Sequence, residues 1–214
     1  GRYLFMIKLI VFDLGNVILP FEHRQIAKKL HEKSAYRSDF NAEEVFSFMF
    51  ETHKGLINEF ETGQISSEEF FGLLKDRYKL NLTFEGFKDI WNPIFTENLK
   101  VNEAILYLKS KGYPLFILSN TNELHFSYII EKYPIVHEMD EWILSFEIGV
   151  KKPDVGIYKM IFEKMDVAGN EVFYIDDIEQ YVDTARALGI KGMVFKNADQ
   201  LWKEIGDIVE NKRQ

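Results

Sequence analysis

The chain of 214 residues contains no cysteine. That absence removes thiol nucleophiles, zinc ribbons, iron–sulfur sites and disulfide staples together. No apolar run approaches the ~18–20 residues that span a bilayer, so no membrane partner is expected. Basic residues are in deficit, 26 against 34 acids for a net charge of -8. A nucleic-acid binder would normally show a basic stripe, so no nucleic-acid partner is expected either. There is no GxxxxGK[ST] or GxGxxG loop, and the five histidines (23, 31, 53, 125 and 137) show no HExxH or other metal spacing. Internal repeats and low-complexity tracts are also missing. The first residues, GRYLFMIKLIVFDLG, lack a signal-peptide layout because Lys8 and Asp13 interrupt the apolar stretch, which points to a cytoplasmic protein. Residues 1–5, ahead of Met6, read as an expression remnant without structural weight.

What is present is an alternation of two textures. Short runs rich in Ile, Val, Leu and Phe occur at 6–13, 114–120, 142–146, 171–177 and 192–195. Such runs suit parallel strands covered on both faces. Between them, Val101/Ala104/Ile105/Leu108, Tyr158/Ile161/Phe162/Met165 and Val182/Ala185/Leu188 have helical spacing. Repeated strand–helix–strand units predict a doubly wound α/β sheet. Residues 21–96 break the pattern with helical clusters and no convincing strand, and ten of the 19 Phe residues fall between 40 and 95. The expectation is an all-α insert after the first strand with its own core, rather than an aromatic ligand cage. The α/β core would then comprise 6–20 and 97–214, and the helical domain 21–96. Ser66 and Glu69 have capping-box spacing. Trp91 and Phe95 read as hinge packing, and Trp202, Ile205, Ile208 and Val209 as the inner face of a closing helix.

In open α/β sheets ligands bind beyond the carboxyl ends of the strands. Those ends supply, in order, Asp13, Ser119-Asn120, the Lys152 loop and Asp176-Asp177. A carboxylate is ionised at neutral pH, so Asp13 can attack phosphorus without an activating base and form an aspartyl-phosphate. Asp13 with Asp177 is the sparse carboxylate set that suits Mg²⁺. The Ser119 hydroxyl and nearby backbone N–H groups suit phosphoryl oxygens, and Lys152 adds a point charge. Metal, lysine and helix ends would make a positive pocket in an acidic protein, fit for a small phosphorylated metabolite.

VFDLGNV (11–17), ILSNTN (117–122), GVKKP (149–153) and YIDD (174–177) together resemble the four motifs of the haloacid dehalogenase (HAD) superfamily, in order and over nearly the whole chain. The resemblance implies a Rossmann-like core with a type-one helical cap, and FETGQISSEEF (60–70) is similar to a segment of such caps. DLGNV with LSNTNELH (118–125) resembles bacterial sugar-phosphate phosphatases of the α-glucose-1-phosphate phosphatase kind. By this resemblance Asp13 is nucleophile and metal ligand, the Gly15 carbonyl a second ligand, and Asp177 a third. Asp176 shares that task or stands behind it. Ser119, Asn120 and Lys152 hold phosphate.

One position departs from the pattern. Many phosphatases of this superfamily carry a second Asp two residues after the nucleophile as general acid/base, and here Gly15 stands there. Such help is worth ~10²–10⁴ in rate. Either a substrate with an acidic leaving group (an anomeric hydroxyl or acyl group) needs less of it, or a neighbour such as Glu22 or His23 supplies it. His125 is placed either at the pocket mouth or on a helix surface. The expected function is a Mg²⁺-dependent phosphatase of a small phosphorylated metabolite, most simply a sugar phosphate. Two rivals stand beside it: a 2-haloacid dehalogenase, against which Asp176-Asp177 speaks, and a catalytically weak phosphometabolite-binding or regulatory protein, which Gly15 favours.

Overall fold

Side chains alternate across the first strand, and both alternating sets are apolar, so the strand must be covered on two sides. In the computed structural model, which describes residues 6–211, β1 (Leu9–Phe12) is fully buried at the centre of a five-stranded parallel sheet. The other strands are β2 (Leu115–Ser119), β3 (Glu141–Leu144), β4 (Val172–Asp176) and β5 (Lys191–Val194), in the order β3-β2-β1-β4-β5. Residues 1–5, the expected remnant, lie outside the described residues.

The two faces carry separate cores. Ile10, Phe12, Leu115, Ile117, Phe173 and Ile175 face one way, onto α6 (Leu99–Ser110) and α11 (Ala198–Asn211). Leu9, Val11, Phe116, Leu118, Val172 and Tyr174 face the other, onto α9 (Val155–Lys164) and α10 (Glu179–Ala187). Two further helices, α7 (Glu123–Lys132) and the single turn α8 (Ser145–Ile148), follow β2 and β3. The run at 142–146 therefore divides: its strand stops at Leu144, and Ser145 opens a helix. In α11, Ile205, Ile208 and Val209 are buried as expected, while Trp202 is half-buried against Tyr107.

Between residues 21 and 96 the chain forms five helices: α1 (Arg24–Glu32), α2 (Ala42–Phe50), α3 (Ile57–Glu61), α4 (Ser67–Tyr78) and α5 (Phe84–Trp91). They share a third hydrophobic cluster, with Phe60, Phe70, Phe71, Phe87 and Trp91 buried in it. Ser66 caps α4 reciprocally with Glu69, each side chain accepting from the other's backbone N–H. The chain enters and leaves this helical segment through two stretches lying side by side. Phe21 pairs antiparallel with Phe95, Glu22 N–H donates to the Ile94 carbonyl at 3.1 Å, and Thr96 N–H donates to the Pro20 carbonyl at 2.9 Å. Phe95 thus sits in the connection, and Trp91, fully buried in the helical cluster, stacks on His125 of α7 close by.

The register decides what meets at the sheet edge. Phe12 is level with Ile117 on β2 and Ile175 on β4, so Asp13, Ser119 and Asp176-Asp177 emerge together from three adjacent strands. Removing the reciprocal cap with Ser66→Ala should cost about 1 kcal/mol in urea unfolding, since the cap satisfies two helix-end donors. An unchanged midpoint would show that α4 does not depend on it.

Candidate active site

Lys152 is 1% exposed, and its ammonium has three donors to satisfy. All three are used: Nζ donates to Asp13 Oδ1 (2.9 Å), Asp176 Oδ2 (2.8 Å) and the Leu118 carbonyl (3.1 Å). Burial alone would push this lysine toward neutrality, but Asp13 and Asp176 outweigh it and raise its pKa, so it stays charged. Asp13 responds to burial in the opposite direction. Its carboxyl is pushed well above the usual range by desolvation; Lys152 opposes this, while Asp176 and Asp177 add to it. Asp177 is likewise raised, first by burial and then by Asp176. One oxygen from each of Asp13, Asp176 and Asp177 lies within 4.8 Å of the other two. Three carboxylates thus face one lysine, leaving an excess of negative charge.

Asp176 belongs to that group, yet both its oxygens are engaged. Oδ1 accepts from Ile178 N–H (2.9 Å), and Oδ2 accepts from Lys152 and from the Tyr174 hydroxyl. Burial, with Asp176 and Asp13 nearby, lifts the Tyr174 phenol well above its ordinary pKa, so it remains a donor. The side chain of Asn120, a residue expected to hold phosphate, is engaged within the protein. Its amide faces the Lys152 backbone, Oδ1 accepting from Lys152 N–H (2.8 Å) and Nδ2 donating to the Lys152 carbonyl (3.0 Å). That reciprocal pair holds the loop that aims the lysine. Ser119 Oγ makes only a 3.4 Å contact to the Asn120 carbonyl and lines the cavity. The turn after it is pinned by Ser145, whose hydroxyl accepts from Thr121 N–H and donates to the Thr121 carbonyl.

A cavity of about 660 Å³ opens over these strand ends, between the sheet edge and the helical segment. Gly15 forms part of its floor. A Cβ built there would lie 2.7 Å from Phe21 Cε1, so the Phe21 ring occupies the space that any larger residue would need. Glu22 is spent on the Arg24 N–H at the start of α1 and does not line the cavity, whereas His23 does. Lys151 points the opposite way from Lys152, donating to Asn58 Oδ1 (3.0 Å) and Glu61 Oε1 (2.7 Å) on the helical segment.

His125 is buried beside the cavity rather than on a helix surface. Its ring stacks on Trp91 at 4.6 Å, and Nε2 lies 2.7 Å from the Trp91 carbonyl, an acceptor only, so Nε2 carries the proton. Nδ1 then accepts from Asn122 Nδ2 at 3.1 Å. Asn122 Oδ1 accepts from His125 N–H and from Trp91 Nε1, which fixes the amide and joins the helical segment to α7. Asn122, three residues before His125, carried a helix-cap signal in the sequence; the tie to Trp91 did not.

Comparison with known proteins shows the family. The model of haloacid dehalogenase-like hydrolases matches residues 7–189, and the chain belongs to that family. A D-ribitol-5-phosphate phosphatase of Bacteroides thetaiotaomicron is 27% identical over 213 residues, covering 96% of this chain and 100% of the relative. A HAD family enzyme from the same organism, solved with magnesium and inorganic phosphate, superposes with a TM-score of 0.76 at 25% identity, covering 89% and 94% of the two chains. A HAD-like family hydrolase from Porphyromonas gingivalis gives 0.72 at 26% identity, covering 90% and 93%.

Two outcomes follow from the packing. Burial lowers His125 from 6.5 to about 4. Between those values the unfolded chain binds a proton that the native protein refuses, so stability falls as pH drops through the window, by about 3 kcal/mol in all. In urea titrations that component of the slope should vanish in His125→Gln. Gly15→Ala should cost about 1–3 kcal/mol by overpacking, and less when Phe21 is also changed to Leu. Equal costs in both backgrounds would contradict the contact.

Proposed function

We propose that this HAD-like hydrolase is a magnesium-dependent phosphatase of a small phosphorylated metabolite of sugar or sugar-alcohol type, acting through a phosphoryl group carried on Asp13. The observation that carries this reading is the Lys152 ammonium fixed between Asp13 and Asp176 beneath one cavity. The name of the full-length Bacteroides relative supports the substrate class.

Asp13 is the nucleophile. Leu14 N–H and Lys152 both bond Oδ1, at 2.8 and 2.9 Å, and so set the plane of the carboxylate before substrate arrives. An oxygen of Asp13 forms the new bond to phosphorus while the bond to the alcohol oxygen breaks; water later restores the carboxylate and releases phosphate. The Ser119 hydroxyl and the backbone N–H of Asn120 receive phosphoryl oxygens, and Lys152 offsets the repulsion between those oxygens and Asp13. The helical segment 21–96 acts as a cap that excludes bulk water and reads the alcohol.

The residues present fit a magnesium ion. Three carboxyl groups meet one lysine, so a divalent cation there would relieve their mutual repulsion, and Mg²⁺ prefers a few oxygen ligands together with substrate phosphate. Asp13, Asp177 and the Gly15 carbonyl are the proposed ligands. Asp176, with both oxygens committed, instead holds Lys152 in place. When bound, the ion neutralises phosphoryl oxygens and helps align the phosphorus for in-line attack.

The test is phosphate release from a panel of sugar phosphates, sugar-alcohol phosphates and p-nitrophenyl phosphate. Activity is expected with Mg²⁺, should disappear with EDTA, and should fall on the order of 10³-fold or more in Asp13→Asn. Activity surviving either EDTA or the substitution would overturn the mechanism.

A further inference from the structure

An ordinary alcohol is a poor leaving group as its alkoxide, so a phosphatase of polyol-type esters needs a proton source on the leaving-group side. The titratable groups around the cavity can be taken in turn. Glu61 is paired with Lys151, and Asp154 accepts from Gly156 N–H at the start of α9. Both ring nitrogens of His125 are committed to Trp91 and Asn122. The Tyr181 phenol is raised by burial and is a weak acid. Glu51 and His53 lie on an exposed turn beyond α2.

His23 differs from all of these. It is half-buried and lines the cavity. Its ring is boxed by aromatic rings: edge-on to Phe21 at 5.3 Å and Phe50 at 4.8 Å, and tilted on Phe46 at 5.0 Å. These neighbours fix the plane of the imidazole but satisfy neither nitrogen. Although His23 stands at the N-cap of α1, its side chain makes no cap bond, and its imidazole has no hydrogen-bond partner among the described residues. It also packs on Phe21, the ring that covers Gly15 beside the nucleophile.

We propose that His23 is the general acid and base for the leaving group and the attacking water; this rests on the phosphatase reading. As Asp13 bonds to phosphorus, the electrons of the breaking P–O bond pass to the alcohol oxygen, which takes the proton of the His23 imidazolium. Neutral His23 then takes a proton from the water that attacks the phosphoryl group. The bond between Asp13 and phosphorus breaks, the carboxylate returns, and His23 is again protonated.

The charges around His23 suit a group that gains its proton with substrate. Burial lowers its pKa, Glu22 opposes this, and Arg24, itself paired with Glu43, adds to it. His125 is neutral above about pH 4, and Lys151 and Glu61 neutralise one another across the cavity. Beyond α2, Glu51 and His53 face solvent. A phosphate dianion entering this space favours the imidazolium.

The test compares wild type, His23→Gln and His23→Phe, with Mg²⁺, on a sugar-alcohol phosphate turned over in the panel and on p-nitrophenyl phosphate. The second ester's leaving group needs no proton, and kcat/KM reports the steps through its departure. On the sugar-alcohol ester both variants should lose about 10²-fold or more, and should lose the wild-type decline of kcat/KM with rising pH. On the nitrophenyl ester kcat/KM should change little. His23→Phe preserves the aromatic box, so a folded protein remains even if His23→Gln misfolds. Equal losses on both esters, or wild-type rates in His23→Phe, would overturn the proposal. A wild type that hydrolyses no ester would instead refute the phosphatase reading, and this role with it.

Discussion

Everything at the sheet edge depends on one buried cation. An ammonium withdrawn from water is tolerable only when its three donors are satisfied and its charge is balanced, and Lys152 meets both conditions through Asp13, Asp176 and the Leu118 carbonyl. These contacts tie the ends of β1, β2 and β4 to a loop far away in sequence. The loop is in turn held by the Asn120 amide, and Asp176 by Tyr174 and Ile178. Removing either acid would leave one of the three ammonium donors of Lys152 without its partner. The same contacts that order the site make it costly to alter.

The neighbouring lysine shows how little sequence distance separates two kinds of work. Lys151 leaves the same loop toward Asn58 and Glu61, so the segment that aims Lys152 inward also holds α3. This pair is half-buried and salt bridges of that kind are worth little alone. A second tie, the Trp91–Asn122–His125 set, lies on the far side of the cavity and is fully enclosed. The helical segment therefore rests on two polar ties of unequal depth besides its paired connections at Phe21 and Phe95. The shallow tie is the one that can open at low cost; the deep one, with every polar atom matched, resists it.

The strands were legible because a strand covered on both faces reads as an unbroken apolar run, and the polar residue ending each run marked Asp13, Ser119 and Asp176. The limit appeared at 142–146, where Leu144 and Ser145 lie in one apolar run but in different elements. Partners were less legible than positions. Pattern shows which way a side chain faces, not what meets it, so nothing in the sequence announced that the Asn120 amide is turned to the Lys152 backbone. His125 did carry a signal: it stands four residues before Ile129 and beside Phe126, on the buried stripe of α7. Its partner Trp91 lies 34 positions away, and no local pattern reports a contact of that range.

Gly15 takes its meaning from Phe21. Read alone, a glycine beside the proposed nucleophile is a missing functional group. With the Phe21 ring 2.7 Å from where its Cβ would stand, the position admits no larger residue unless that ring shifts, and the surface over Gly15 is aromatic. On the proposed mechanism, an apolar surface there would keep stray water from a phosphoryl group carried on Asp13 and strengthen the charge interactions beside it. It also means that no proton can be delivered from the residue two places after the nucleophile. The proposed donor, His23, stands farther along the same surface, where the chain turns into α1 and the aromatic packing around Phe21 continues. The identity of residue 15 thus constrains where an acid can stand, and the ring that fills its place begins the surface on which that acid would be mounted.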